Sequence, residues 1–292
     1  MTEKFMTTDK LRIAYEVSGP TTGEPVILLH GWPDDVRTWD GVLPGLHAAG
    51  YRTYVPSLRG FGQTTFLSQQ TRRTGGALAF ADDLRQFIQA LDLAPVRLIG
   101  QDWGAFTALT LSAVMPTMVK SQVILAEGWQ LFSDLNLQQI QNFWYQWYFT
   151  TEQGATYLRQ RRDEFTQYLW QLWSPQHQLT EAETTDLAAA FQNPDWAEIT
   201  LNTYRERWGY APFDGAYADW AERLRQSAQI DAPTLNIIGK SDTCTDYRLA
   251  PQMAPYFEGA FKQEFWDATG HFIQREAPTR LSRAAVSWFR GH

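Results

Sequence analysis

The chain has 292 residues, 44% of them apolar and 14% aromatic, enough to bury one large α/β core and still carry a sizeable insertion. A formal charge of −7 and a pI near 5.3 exclude the basic footprint that nucleic acid or an anionic membrane surface requires, and favour a small apolar or neutral substrate. Residues 1–19 lack the apolar run of a secretory signal, and no segment has the length of a membrane span, so a cytoplasmic protein is expected.

Short apolar, β-branched runs recur at 11–17, 26–29, 53–55, 96–99, 123–126, 234–238 and 261–266. Helical patterns separate them at 80–91, 105–114, 247–257 and 278–289. This alternation predicts an α/β fold, a mostly parallel sheet with helices on both faces. The rhythm breaks between Trp129 and Ala228, where aromatic residues crowd onto helical sequence without a convincing strand. A core domain of residues 1–130 and 228–292, with an inserted helical cap of 131–227, is therefore expected. The tryptophans of that block are read mainly as packing between cap and core. The single cysteine, Cys244, allows no internal disulfide and is read as an inert small side chain. The five histidines show no metal-ligand spacing, so neither metal nor cofactor is expected. Gly239-Lys240-Ser241 ends like a P-loop, but Thr234 occupies the position of its first glycine. The sequence leaves the oligomeric state open.

The sharpest signal is Gly100-Gln101-Asp102-Trp103-Gly104, between strand 96–99 and helix 105–114. So tight a strand-to-helix turn needs small residues on both sides of its central position, which then stands exposed at the top of the sheet. Serine is the usual occupant. Aspartate changes the chemistry: a side chain ionised at neutral pH attacks an sp³ carbon directly and forms an alkyl ester. His30-Gly31-Trp32-Pro33 follows strand 26–29, where an α/β-hydrolase fold places its oxyanion loop. The backbone N–H groups of Trp32 and Trp103 are expected to stabilise the oxyanion formed when water attacks that ester. His271, in Asp267-Ala268-Thr269-Gly270-His271-Phe272 after the last strand, is the expected base that activates the water. An imidazole in this role needs a carboxylate to fix its tautomer. Asp242, after strand 234–238, is the preferred partner, and Glu127, after strand 123–126, is the alternative.

With these residues the chain resembles the epoxide hydrolases of the α/β-hydrolase superfamily, with haloalkane dehalogenases as close relatives. His30-Gly31-Trp32-Pro33 is similar to the family's H-G-x-P, Ser57-Leu58-Arg59-Gly60-Phe61-Gly62 to its D-x-R-G-Y-G, and the Asp102 segment to its G-H-D-W-G. Gly270-His271-Phe272, with Gln274 and Pro278, is similar to the histidine segment. In the cap, Tyr145-Gln146-Trp147-Tyr148-Phe149 resembles Y-Q-L-Y-F, and Leu201-Asn202-Thr203-Tyr204-Arg205 resembles L-N-W-Y-R. The resemblance implies that Tyr145 and Tyr204 donate to the oxygen of an opening epoxide, and that Trp103, Pro33, Trp147 and Phe272 line the substrate space. The chain departs from the pattern at Gln101, Ala105 and Ser57, which replace a histidine, a glycine and an aspartate. A haloalkane or haloacid dehalogenase using the same aspartate is the alternative, with Trp103 and Trp32 cradling the halide. A carboxylate at the place of Glu127 serves as the acid in some dehalogenases.

Overall fold

The computed structural model describes residues 2–129 and 135–292. Their strands are β1 (Thr2–Thr7), β2 (Leu11–Ser18), β3 (Glu24–Leu29), β4 (Tyr51–Pro56), the two-residue β5 (Thr65–Phe66), β6 (Val96–Gln101), β7 (Val119–Leu125), β8 (Thr234–Gly239) and β9 (Phe261–Trp266). They form one sheet in the order β1-β2-β4-β3-β6-β7-β8-β9, with β5 paired to β2. From β4 to β9 the pairing is parallel, and β1, β2 and β5 add an antiparallel margin. Central strands covered on both faces are apolar on both, and β3 follows this rule. Ile27 and Leu29 pack on one side with Leu84, Phe87 and Ile88, whereas Val26 and Leu28 pack on the other with Leu43, Leu46, Leu281 and Phe289. The covering helices are α1 (Leu43–Ala48), α2 (Ala77–Ala90) and α3 (Trp103–Val114) and, at the end of the chain, a helix from Pro278 to Gly291.

Between β7 and β8 the described chain is helical: α4 (Leu137–Asn142), α5 (Trp144–Thr150), α6 (Glu152–Gln160), α7 (Arg162–Trp173), α8 (Glu181–Ala190), α9 (Trp196–Arg207) and α10 (Ala218–Gln226). The expected boundary between residues 130 and 131 lies outside the described residues. After β9 come the short α11 (Ile273–Glu276) and the C-terminal α12 (Pro278–Gly291). The helix expected over 247–257 is instead a 3₁₀ run, Tyr247–Tyr256, because Pro251 and Pro255 lie inside it and each removes a backbone donor from the α-helical ladder. Among the described residues no helix is long and apolar enough to cross a membrane.

The strand order sets the site. β3 and β6 are neighbours, with Leu29 opposite Gly100, so the loops that leave their carboxyl ends meet. They meet closely: a Cβ on Gly104 would stand 2.1 Å from the Leu29 carbonyl oxygen, and one on Gly100 2.4 Å from that of Gly104. Between these glycines Asp102 adopts φ 50° and ψ −113°, a conformation costing a non-glycine residue about 1–3 kcal/mol. Its N–H donates to Leu125 O at 3.2 Å and its carbonyl accepts from Phe106 N at 3.0 Å, which holds the turn on both sides. Gly104→Ala should therefore cost about 1–3 kcal/mol through forced displacement of β3. Urea titration would read this as a lower midpoint at unchanged slope, and a midpoint equal to wild type would contradict the packing.

Candidate active site

Asp102 leaves β6 with its carboxylate 6% exposed as a residue, and its Oδ1 accepts the backbone N–H of Trp32 at 2.8 Å. The loop carrying that N–H is anchored at two points. The Leu58 N–H donates to His30 Nε2 at 3.1 Å, which leaves the His30 proton on Nδ1, facing Gly31 O at 3.1 Å. Burial lowers the His30 pKa to about 4, so this tautomer is uncharged near neutrality. The second anchor is the Trp32 indole, whose Nε1 donates to Thr200 Oγ1 of α9 at 3.0 Å. The Thr200 hydroxyl in turn donates to Trp196 O at 2.9 Å.

His271, from the loop after β9, and Asp242, from the loop after β8, meet at 2.9 Å between Nδ1 and Oδ2. Asp242 Oδ1 is held by its own turn, accepting the N–H groups of Cys244 at 2.6 Å and Thr245 at 3.0 Å. His271 Nε2 lies 3.7 Å from Asp102 Oδ2, too long for a hydrogen bond, and is buried without a partner among the described residues. Burial opposes a charged imidazole here, but the Asp242 and Asp102 carboxylates outweigh it and raise the His271 pKa to about 10. Glu127 is buried at the end of β7, where its Oε1 accepts the Gly128 N–H at 3.0 Å. Burial raises its pKa to about 7. It is Asp242, and not Glu127, that is hydrogen-bonded to the imidazole.

Tyr145 of α5 and Tyr204 of α9 are each 1% exposed, with ring centroids 5.4 Å apart and planes at 87°. Tyr145 lies flat over Trp32 at 5.7 Å, and Tyr204 meets Trp32 edge-on at 5.9 Å and Trp103 at 5.8 Å. Burial first, then nearby groups including Asp102, hold both phenols well above their ordinary pKa. Both hydroxyls therefore stay protonated. Pro33 is buried in the loop beside Trp32. Phe272 is fully buried and stacks on Trp170 of α7 at 3.4 Å and 10°, so it closes the back of His271 against the inserted helices.

Two expectations are corrected. Trp147 packs on Trp208 at 4.2 Å and its Nε1 donates to Ile140 O, away from the rings around Asp102. Two residues along a helix turn a side chain by about 200°, so Trp147 and Tyr145 face opposite ways. The Trp32 indole is engaged by Thr200 and has no N–H left for a halide. Cys244 Sγ stands 3.7 Å from the Tyr145 oxygen, and burial pushes its thiol pKa up. Sequence reading also missed Thr200, Trp173 and the pairing of Arg275 with Asp34. Arg275 binds Asp34 through two hydrogen bonds of 2.7 and 2.6 Å, tying α11 to the Trp32 loop. No local pattern marks that pair, because the partners are 241 positions apart.

Residues 24–278 match the family described as alpha/beta hydrolase fold. A crystal structure of a candidate epoxide hydrolase from Klebsiella pneumoniae superposes with a TM-score of 0.93 at 35% identity, covering 99% of this chain and 97% of that one. An epoxide hydrolase of Caballeronia sordidicola is 24% identical across 95% of this chain and 91% of its own length. Some matches are partial: 35% identity to a haloalkane dehalogenase of Psychrobacter cryohalolentis covers 37% of this chain and 35% of that protein. Epoxide hydrolase 3 of Siraitia grosvenorii, also 35% identical, is matched over 39% of this chain and 35% of its own length. With the family matched across most of its length, and a close structural relative across nearly all of it, this chain belongs to the alpha/beta hydrolase fold family and is a hydrolase similar to epoxide hydrolases.

Proposed function

We propose that the chain opens an epoxide to a vicinal diol through an alkyl ester on Asp102. The observation that carries this reading is the pair of buried, protonated phenols, Tyr145 and Tyr204, packed beside the Trp32 loop that holds the Asp102 carboxylate. Opening an epoxide creates a basic oxygen that needs a proton, and these hydroxyls can supply one. In this reading the helices of 131–227 act as a cap over a core of 1–130 and 228–292. The substrate is small and neutral, held among Trp103, Pro33 and Phe272.

In the first step an Asp102 oxygen attacks a ring carbon, the carbon–oxygen bond breaks, and the released oxygen takes a proton from Tyr145 or Tyr204. The phenol regains its proton through water from His271, which carries one in the resting site because its pKa stands near 10. Esterification removes the charge of Asp102. One of the two carboxylates that hold the proton on His271 is thereby lost, so the ring becomes a usable base only once the intermediate exists. It then takes a proton from water, and the hydroxide adds to the Asp102 carboxyl carbon. The oxyanion points to the Trp32 N–H, with the Trp103 N–H as its proposed second donor. Collapse releases the diol oxygen, which takes the proton of the new carboxylic acid, and both Asp102 and charged His271 are restored.

A second reading, release of halide from a haloalkane, has one observation in its favour. The indole N–H groups of Trp103 and Trp173 are buried without hydrogen-bond partners among the described residues. Such donors suit a weakly basic anion.

A single turnover with an epoxide in ¹⁸O-water should leave label in the Asp102 carboxyl group; diol formed with an unlabelled peptide would end the ester mechanism. Tyr145→Phe and Tyr204→Phe should each slow alkylation about 10²- to 10³-fold, as expected for losing one donor to a developing oxyanion, while sparing any halide release. Asp242→Asn should bring the His271 pKa below about 10 in an NMR titration and lower kcat by about 10⁴. The folded chain binds this proton more tightly than the unfolded chain, whose imidazole titrates near 6.5. That contribution to stability is full below pH ~6.5 and is lost as pH rises through about 10. Asp242→Asn should flatten the alkaline loss, and an unchanged slope would separate Asp242 from the histidine charge.

A further inference from the structure

Gln146 follows Tyr145 in α5 and is 1% exposed. Its Nε2 donates to the Tyr145 oxygen at 2.9 Å, and its Oε1 accepts from Trp208 Nε1, just beyond the end of α9, at 3.0 Å. An indole nitrogen only donates, so the end of the amide that meets Trp208 must be oxygen. The end that meets Tyr145 is then the NH₂ group, which only donates. The Tyr145 oxygen accepts there, and its own proton must turn elsewhere. Two other groups lie near that oxygen: Cys244 Sγ at 3.7 Å, a weak acceptor, and the Tyr204 hydroxyl, with which Tyr145 shares a hydrogen bond, so the proton turns to the side of the second phenol.

We propose that Gln146 is a positioning residue that keeps the Tyr145 proton directed at the substrate and then steadies the tyrosinate by donating to it, with Trp208 locking the amide in that sense. The inference rests on the reading of Tyr145 as a proton donor to an opening epoxide. A reversed amide would accept the Tyr145 proton and withdraw it from the reaction. The fixed amide does the opposite, since its N–H strengthens as charge grows on the phenol oxygen. It also counteracts burial, which otherwise pushes the phenol pKa up. The clamp spans α5 and the end of α9, the two helices that carry the phenols.

The test compares Gln146→Leu, Gln146→Glu and Tyr145→Phe with wild type on one epoxide, measuring alkylation and ester hydrolysis separately from pH 5 to 9. Gln146→Leu should slow alkylation about 10- to 100-fold, the loss of a hydrogen bond to a charged group, and leave ester hydrolysis unchanged. Gln146→Glu keeps the side-chain shape but reverses the polarity when ionised. Its alkylation rate relative to wild type should be low at alkaline pH and recover as pH falls and the acid form donates again. Taking the ratio cancels the titrations of Glu127 and His271, which both proteins share. A purely structural role gives a ratio flat with pH, and that result overturns the proposal. So does unchanged alkylation in both Gln146 variants while Tyr145→Phe is slow, an outcome that leaves the epoxide reading standing. Failure of wild type to open any epoxide removes both. Should the leucine variant not fold, the glutamate pH profile decides alone.

Discussion

Asp102 and Asp242 occupy a volume almost closed to water, with one imidazole between them, and a charge placed there is costly unless fixed dipoles replace the solvent it has lost. Each carboxylate is met by backbone N–H groups: Trp32 for Asp102, and Cys244 with Thr245 for Asp242. His271 adds a cation that both acids share, which is why its pKa is raised although burial alone would lower it. Backbone donors hold charge without consuming it, unlike a lysine or arginine locked onto the same oxygens. A carboxylate supported in this way keeps an oxygen for the attack proposed above. The N–H that steadies Asp102 at rest also sits where a tetrahedral oxyanion would form on the same side chain.

These donors act only if three loops are held to each other, and Trp32 is where they join. Its backbone serves Asp102, its indole N–H is fastened to α9 through Thr200, and its ring carries Tyr145 and Tyr204. Asp34, two residues along, is gripped by Arg275 of α11, four residues beyond His271. Breaking a buried pair of this kind by removing one partner costs about 3–5 kcal/mol, so the distance from Asp102 to His271 is stiffly set. Phe272 on Trp170 ties the histidine loop directly to the inserted helices. The geometry of the reacting groups is thus shared between sheet and insertion and belongs to neither alone.

What could be read from the sequence follows from how local each constraint is. The turn at Asp102 was legible because steric crowding demands glycine at fixed offsets, and the central strands because cover on both faces demands continuous apolar runs. β1 and β5 lie at the margin, where exposed residues such as Glu3, Lys4 and Thr65 blur any pattern. Pro251 and Pro255 were visible, but the helical period of 247–257 outweighed them in reading, whereas in the fold the missing N–H groups decide. Trp147 was misplaced because a motif shows proximity along the chain and not the direction of a helical face. The partners of the Trp32 indole, the thiol of Cys244 and the two ends of the Gln146 amide depend on residues more than sixty positions away or on a side-chain rotation. No spacing encodes either.

The same site contains two kinds of buried donor, and the difference between them bears on the chemistry. A halide is a weak base, so an N–H that never gives up its proton suffices, and the indoles of Trp103 and Trp173 are of this kind. An alkoxide is a strong base and leaves only if it is protonated as the carbon–oxygen bond lengthens, which requires a donor able to lose its proton. Burial makes Tyr145 and Tyr204 weak acids at rest, and this protects the site from carrying an unwanted phenolate. In the proposed reaction it would not disable them, because an opening ring supplies a stronger base than water, and the proton would move only when that base appears. Had the cap offered indoles alone, the fold would favour halides. Two hydroxyls packed around the Trp32 loop that steadies Asp102 are what favour the proposed reading, with a strained oxygen ring as substrate.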